Sequence, residues 1–374
     1  MGFSEYLGNQ RIVTALRGML AGDRVPHAML FSGTRGVGRF TLARMFAQAA
    51  NCERLKDDFC GECDSCRRIS QLAEPRRLIE QGLVQRGERP DAATVERMPL
   101  LLQTHPDVWA AVPDPVRLKD PVVRPVLHVG QLRAIQRAAY FKPEARRRVF
   151  IVAGAETMRW DLAPIFLKIL EEPPESATLI LIAPGPFDVL PTIRSRCLQF
   201  RFAPLQAAEV EKILSAKTEM SAANRRLAAQ LSEGSPGAAM QMDVRTALAL
   251  RREALAVLSA SIGPQGVSDL FARTSALAKN PDVAFEYILE VFYSLLTDVL
   301  DLSCSSSLPA LRNPALRREL EVLSRKLDPA WIRKAVEGFD TLHARLRRNV
   351  NRPLGLDAVC ISLASLVPDR GAPR

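Results

Sequence analysis

The chain has 374 residues, too many for one ordinary hydrophobic core, so two or three domains are expected. An apolar share of 47% and a charged share of 25% are those of a soluble globular protein and exclude fibrous or disordered classes. Lys and Arg outnumber Asp and Glu by 51 to 41, a formal charge of +10 that suits contact with nucleic acid or acidic proteins but is met equally by solvated basic helix faces.

The amino terminus, MGFSEYLGNQ, lacks the basic-then-apolar pattern of a signal segment, and no apolar run approaches the roughly 18 residues a membrane span needs. A cytoplasmic protein is therefore expected, its cysteines reduced or metal-bound rather than paired. Residues 1 to 28 read as one amphipathic helix, with Ile12, Val13, Leu16, Met19 and Leu20 at helical spacing, ended by an Asp-Arg-Val-Pro turn. His27 has no acid or nucleophile nearby in sequence, so it reads as structural.

Met29 to Arg44, MLFSGTRGVGRFTLAR, has the layout of a phosphate-binding loop. An apolar strand ending near Phe31 leads into a Gly-rich loop, and an amphipathic helix with Phe40, Leu42, Ala43 and Phe46 follows. Gly33 and Gly38 have the spacing of G-x-x-x-x-G-K-[ST], in which backbone N–H groups cradle phosphates, Lys reaches the outer phosphates and a hydroxyl holds Mg²⁺. Gly33, Gly36, Gly38, Arg39 and Thr41 are the candidate loop residues. Arg39 stands where Lys is needed, and its broad fork does not replace a compact ammonium. Phe40 stands where the hydroxyl is needed and cannot ligate a metal. Thr41 comes one residue too late, and a helical step of about 100° turns it away. The expectation is a nucleotide-binding fold that does not hydrolyse, with any binding of ATP in doubt; a working site with odd ligands is the alternative.

Cys52 is followed by Cys60-Gly-Glu-Cys63-Asp-Ser-Cys66, a spacing that lets four thiolates converge on one structural Zn²⁺. An iron–sulfur cluster, four unliganded thiols or a knuckle binding single-stranded nucleic acid are the competing readings. The polar gaps predict a small exposed excursion. Residues 67 to 104 read as a helical, partly mobile insertion with solvated charges and a Gly-Glu-Arg-Pro-Asp break. His105-Pro106-Asp107 reads as a turn rather than a catalytic pair, followed by a strand over 108–112, a Pro-rich loop and a helix over 130–140.

Val149 to Val152 is a continuous apolar run suited to a central parallel strand. An ATPase places acidic residues at such a strand end to hold Mg²⁺ and activate water; here Ala153-Gly154-Ala155 follows, with Glu156 the nearest acid. A helix over 164–172 ends at Glu171-Glu-Pro-Pro174. A strand over 178–182 then runs into Ala183-Pro184-Gly185, where a polar residue would sense a γ-phosphate.

HAMLFSGTRGVGR, the four cysteines, THPD, FLKILEEPP and LPTIRSRCLQFRF, in this order, resemble the bacterial clamp-loader subunits of the AAA+ class, and most closely their delta-prime branch. The specific part covers about residues 1 to 205. A looser match reaches Gly234-Ser-Pro-Gly-Ala-Ala and a terminal Asn349-Val-Asn-Arg-Pro-Leu-Gly-Leu-Asp. The resemblance implies an α/β P-loop AAA+ domain at 1–205, a parallel sheet flanked by helices, with the zinc module at 52–66 and an insertion at about 67–104. A small helical lid at 206–245 and an all-α collar at 246–374 that joins subunits complete the expected architecture.

It further implies that Arg196 of Ser195-Arg196-Cys197 acts as an arginine finger in a neighbouring subunit's ATP site, with Arg194 supporting that surface; a pairing of Arg196 with a carboxylate of its own domain is the competing reading. Cys52, Cys60, Cys63 and Cys66 match the family's zinc ligands. Expected partners are the other loader subunits (gamma/tau and delta), the sliding clamp, and primer-template DNA through the complex. Arg39 and Ala153 depart from the ATP-hydrolysing members, which favours a non-hydrolysing role over a gamma/tau-like subunit or a free-standing zinc-containing DNA-binding protein. Members that read ATP from the lid carry Arg where Ala238 stands. Beyond residue 246, stripes such as Phe285, Ile288, Phe292, Leu295 and Val299 read as packing faces, and Cys197, Cys304 and Cys360 read as small core residues.

Overall fold

The computed structural model describes residues 2–86, 92–114, 125–158, 160–262, 267–281, 283–304, 311–346 and 351–366. The break at 87–91, most of the Pro-rich loop after residue 112, and Asn349 and Val350 of the terminal motif lie outside them.

In chain order the elements are α1 (Gln10–Ala21), β1 (Ala28–Ser32), α2 (Arg39–Ala50), α3 (Asp64–Ser70), α4 (Pro75–Arg86), α5 (Ala92–Arg97), β2 (Leu101–His105), β3 (Val108–Ala111), α6 (Val129–Ala139), β4 (Arg148–Ala153), α7 (Ala163–Glu171), β5 (Ala177–Ala183), α8 (Pro191–Arg194) and β6 (Leu198–Arg201). These are followed by α9 (Ala207–Lys217), α10 (Ala222–Leu231), α11 (Pro236–Gln241), α12 (Val244–Ala260), α13 (Val267–Ala278), α14 (Phe285–Cys304), α15 (Arg317–Ser324), α16 (Pro329–Leu346) and α17 (Arg352–Ala364). The six strands form one sheet in the order β2-β3-β4-β5-β1-β6. β3, β4, β5, β1 and β6 run parallel, and β2 is an antiparallel edge strand paired to β3. The central strands β1 and β5 are buried at every position, because α6 and α7 pack on the face carrying Leu30, Phe150 and Leu179 while α2 packs on β4 and β5. Covering both faces is what turns these strands into continuous apolar runs.

Four expectations are corrected. Residues 1 to 28 are not one helix: a 3₁₀ turn at Phe3–Glu5 precedes α1. Asn9 sits in the left-handed region at φ 50°, exchanging hydrogen bonds with the main chain of Ala203 at 2.8 and 3.0 Å, and those long-range bonds outweigh local helical periodicity. The insertion is not helical throughout, since its last residues form β2, an antiparallel edge on the mostly parallel sheet. Its charges are not all solvated: Arg86 and Asp114 pair at 2.6 Å, with side chains 2% and 0% exposed. Cys304 is exposed, while Cys197 and Cys360 are buried.

The described residues divide into two compact units, Met1–Glu219 with Gly234–Met240, and Met220–Glu233 with Gln241–Arg374. The second is helical and built around α14, where Phe292 stacks on Phe339 at 4.7 Å. No helix among the described residues is long and apolar enough to cross a membrane.

Candidate functional site

The parallel register sets Ser32 beside Ala183, and Ala153 beside Ile182, so the carboxyl ends of β1, β5 and β4 open onto the Gly-rich loop. Crevices of this kind are where open α/β sheets bind ligands. Gly36 and Gly38 hold φ of 81° and 102°, and a Cβ on either would press on Ser235 Oγ or the Tyr6 hydroxyl. The loop is therefore shaped for close approach, and much of that approach is made by the chain itself. Gly237 N–H donates to the Gly36 carbonyl at 3.0 Å, and Ser235 Oγ donates to the Arg35 carbonyl at 2.8 Å.

Arg39 opens α2 with its side chain buried, and its guanidinium donates to the main-chain carbonyl of Ala183. Desolvation lowers the Arg39 pKa, with Glu156 opposing that shift. The Glu156 carboxyl is pushed up by desolvation, and Arg39 draws it back down. The cation at the lysine position is thus turned to the carboxyl end of β5. Thr41 lies within α2, beyond the loop. His27 contributes its carbonyl to the sheet, accepting from Leu179 N–H at 2.8 Å.

The Sγ atoms of Cys52, Cys60, Cys63 and Cys66 all lie within 4.8 Å of one another, so this cluster could hold a metal ion. Four thiolates at about 2.3 Å from one tetrahedral centre stand about 3.8 Å apart, inside that limit, and an all-sulfur tetrahedral set suits Zn²⁺. Cys60 Sγ accepts N–H bonds from Cys63 and Glu62 at 3.3 and 3.5 Å, and Cys52 Sγ accepts from Cys60 N–H at 3.4 Å. Those bonds favour thiolate, and the Cys60 pKa falls to about 6, the bond from Cys63 first. Burial raises Cys66.

The polar gaps of the module are exposed as expected, at Glu53 to Lys56, Glu62 and Asp64, while Cys52, Phe59, Cys63 and Cys66 are buried beneath them. Gln48 Nε2 holds the Cys66 carbonyl at 3.0 Å, and the Arg146 guanidinium reaches the carbonyls of Ala49, Cys52 and Leu55. Neither residue is signalled in sequence, since each works through main-chain atoms far along the chain. His105 and Asp107 make the expected turn: Asp107 N–H donates to His105 Nδ1 at 3.1 Å, and the Asp107 carboxylate accepts from Glu144 and Ala145 N–H groups.

Arg196 lies just after α8, whose start is set by Pro191. Its Nη2 pairs with Glu171 Oε1 at 2.8 Å, and its Nη1 donates to the Thr192 carbonyl at 2.9 Å. The competing reading of a same-domain partner is therefore the arrangement present, although the pair is open to solvent, at 36% and 51% side-chain exposure. Arg194 stacks 4.6 Å from the ring centre of Phe187, which is itself 76% exposed.

A family model described as "DNA polymerase III, delta subunit" matches residues 8–206. The chain is 30% identical over 271 residues to DNA polymerase III subunit tau of Escherichia coli K12, covering 71% of this chain and 35% of that one. It is 28% identical over 203 residues to subunit delta' of Bacillus subtilis 168, covering 54% and 49%. The chain thus spans about a third of the first relative's length and about half of the second's. A gamma subunit-related protein of Thermotoga maritima aligns over 94% of this chain and 98% of its own, at 18% identity and a TM-score of 0.39.

Proposed function

Since this chain belongs to the DNA polymerase III delta-subunit family of clamp-loader proteins, we propose that it is a delta-prime-type subunit that does not hydrolyse ATP itself. In this reading it supplies Arg196 to the ATP site of a neighbouring subunit, and with gamma/tau and delta subunits helps to place a sliding clamp on primer-template DNA in the cytoplasm. The observation that carries the reading is the buried Arg39 guanidinium, bonded to the Ala183 carbonyl at the position where a hydrolysing loop needs a free Lys. Phe40 offers no metal ligand, Ala153 no carboxylate and Ala183 no polar side chain, so four separate parts of one hydrolytic site are missing together.

Arg196 is suited to act elsewhere. A guanidinium set against a γ-phosphate neutralises charge that develops as the phosphoryl group moves, an effect of about 10³ to 10⁵ in rate where such fingers operate. We assign Cys52, Cys60, Cys63 and Cys66 to a structural Zn²⁺, which would supply a crosslink and no reaction step. We further propose that 206–245 acts as the lid and 246–374 as the collar that joins subunits.

The test is ATP turnover by hydrolysing loader subunits with clamp and primed DNA, adding this chain as wild type or as Arg196→Ala. A large stimulation by the wild type, lost in Arg196→Ala while assembly persists, is the expected result. Equal stimulation by both chains would leave only a scaffold, and turnover by this chain alone would overturn the non-hydrolysing reading.

A further inference from the structure

Glu171 is the last residue of α7 and the first acid of Glu171-Glu-Pro-Pro174, and it holds Arg196 by a single 2.8 Å contact to Nη2. The other terminal nitrogen, Nη1, is bonded to the Thr192 carbonyl. We propose that this ion pair is a parking contact: Glu171 holds the guanidinium in the unengaged chain and yields it to phosphate when a nucleotide-bearing partner docks. The inference rests on the finger reading above.

Three physical points lead to it. Both partners are substantially exposed, and an ion pair in that setting is worth little, so it restrains the long side chain without locking it. A carboxylate left against the guanidinium would also face the incoming γ-phosphate, like charge against like charge, so engagement favours separation. The phosphate offers a higher charge and a better match to the guanidinium fork than one carboxylate oxygen does, which sets the direction of the exchange. Thr192 keeps a second hold on the same side chain from within α8, so release from Glu171 leaves Arg196 aimed from α8 rather than loose. Glu171 is thus a positioning residue that acts through Arg196.

The experiment titrates this chain into hydrolysing loader subunits with clamp and primed DNA, reading the concentration for half-maximal stimulation and the plateau rate. The chains compared are wild type, Glu171→Gln, Glu172→Gln, Arg196→Ala and the Glu171→Gln/Arg196→Ala double variant. Glu171→Gln is expected to lower the half-maximal concentration or raise the plateau by about two- to five-fold, the span of an exposed ion pair. Glu172→Gln, the same charge change one residue on, is expected to match wild type, and the double variant to match Arg196→Ala.

Weaker or unchanged stimulation by Glu171→Gln, with Arg196→Ala still inactive, would overturn the parking contact and leave the finger standing. A gain that persists in the double variant would overturn it too, because Glu171 would then act through something other than Arg196. If Arg196→Ala stimulates as well as wild type, the finger reading itself fails.

Discussion

Arg86 closes α4 and buries its guanidinium against Asp114, 28 residues along the chain, while its Nε donates to the Met98 carbonyl at 2.6 Å. Removing one member of such a pair strands a charge in the core, which costs more than the intact pair is worth. Arg86→Ala is therefore expected to destabilise the first unit by about 3–5 kcal/mol in urea unfolding. Arg86→Met combined with Asp114→Leu should cost clearly less than Arg86→Ala, because no charge is left behind; equal losses would mean the pair is solvated. Arg39 makes the same point at the candidate site. Its identity marks a departure from the loop pattern, but only the bond to Ala183 shows where the charge goes.

The four-cysteine module is tied to the amino-terminal segment as well as to α2. Phe3 meets Phe59 edge-on at 5.7 Å, Phe3 N–H donates to Asp58 at 2.9 Å, and Arg17 pairs with Asp57 at 2.8 Å. Tyr6, the residue directly after that clasp's first turn, rests against Gly38 of the Gly-rich loop. If a metal holds residues 52–66 together, its removal should loosen the segment that leans on them. Chelation, or Cys63→Ser, is expected to release bound zinc and to speed amide hydrogen exchange in residues 2–9 and 52–66, while β4 and β5 stay protected. Unchanged exchange at residues 2–9 after zinc loss would separate the clasp from the metal.

At the scale of the whole molecule, the two units are held by different kinds of core. The first is a sheet covered on both faces, and the second is a set of helices around α14, with Phe292 and Phe339 stacked at 17°. Within the second, Asn313 accepts from Arg251 and donates to Asp298 and Ser294, so the buried charges there are paired through one amide. Phe292→Ala is expected to remove about 3–5 kcal/mol from the helical unit. The check is hydrogen exchange, which should quicken in α14 and α16 while β4 and β5 stay protected.

Several features follow from residue order alone, because their causes are local. The Gly spacing after an apolar strand, the four-cysteine spacing, and the strands read at 149–152 and 178–182 all appear in the structure within a residue or two of where they are read. The departures from the loop pattern at Arg39 and Phe40, and the lack of a carboxylate at Ala153, are equally plain, since residue identity needs no fold to establish it. Other features depend on residues far apart in the chain, which local pattern does not specify. Glu171 reaches Arg196 across 25 positions, Ser235 reaches the Gly-rich loop across 200, and β2 becomes a strand because β3 offers it an open edge. Composition and motif determine which side chains stand at the loop and at the strand ends. Only the tertiary structure decides which carbonyl takes up the Arg39 charge, which carboxylate holds Arg196, and which buried acid answers Arg86, because each is a choice among partners that folding alone brings within hydrogen-bonding reach.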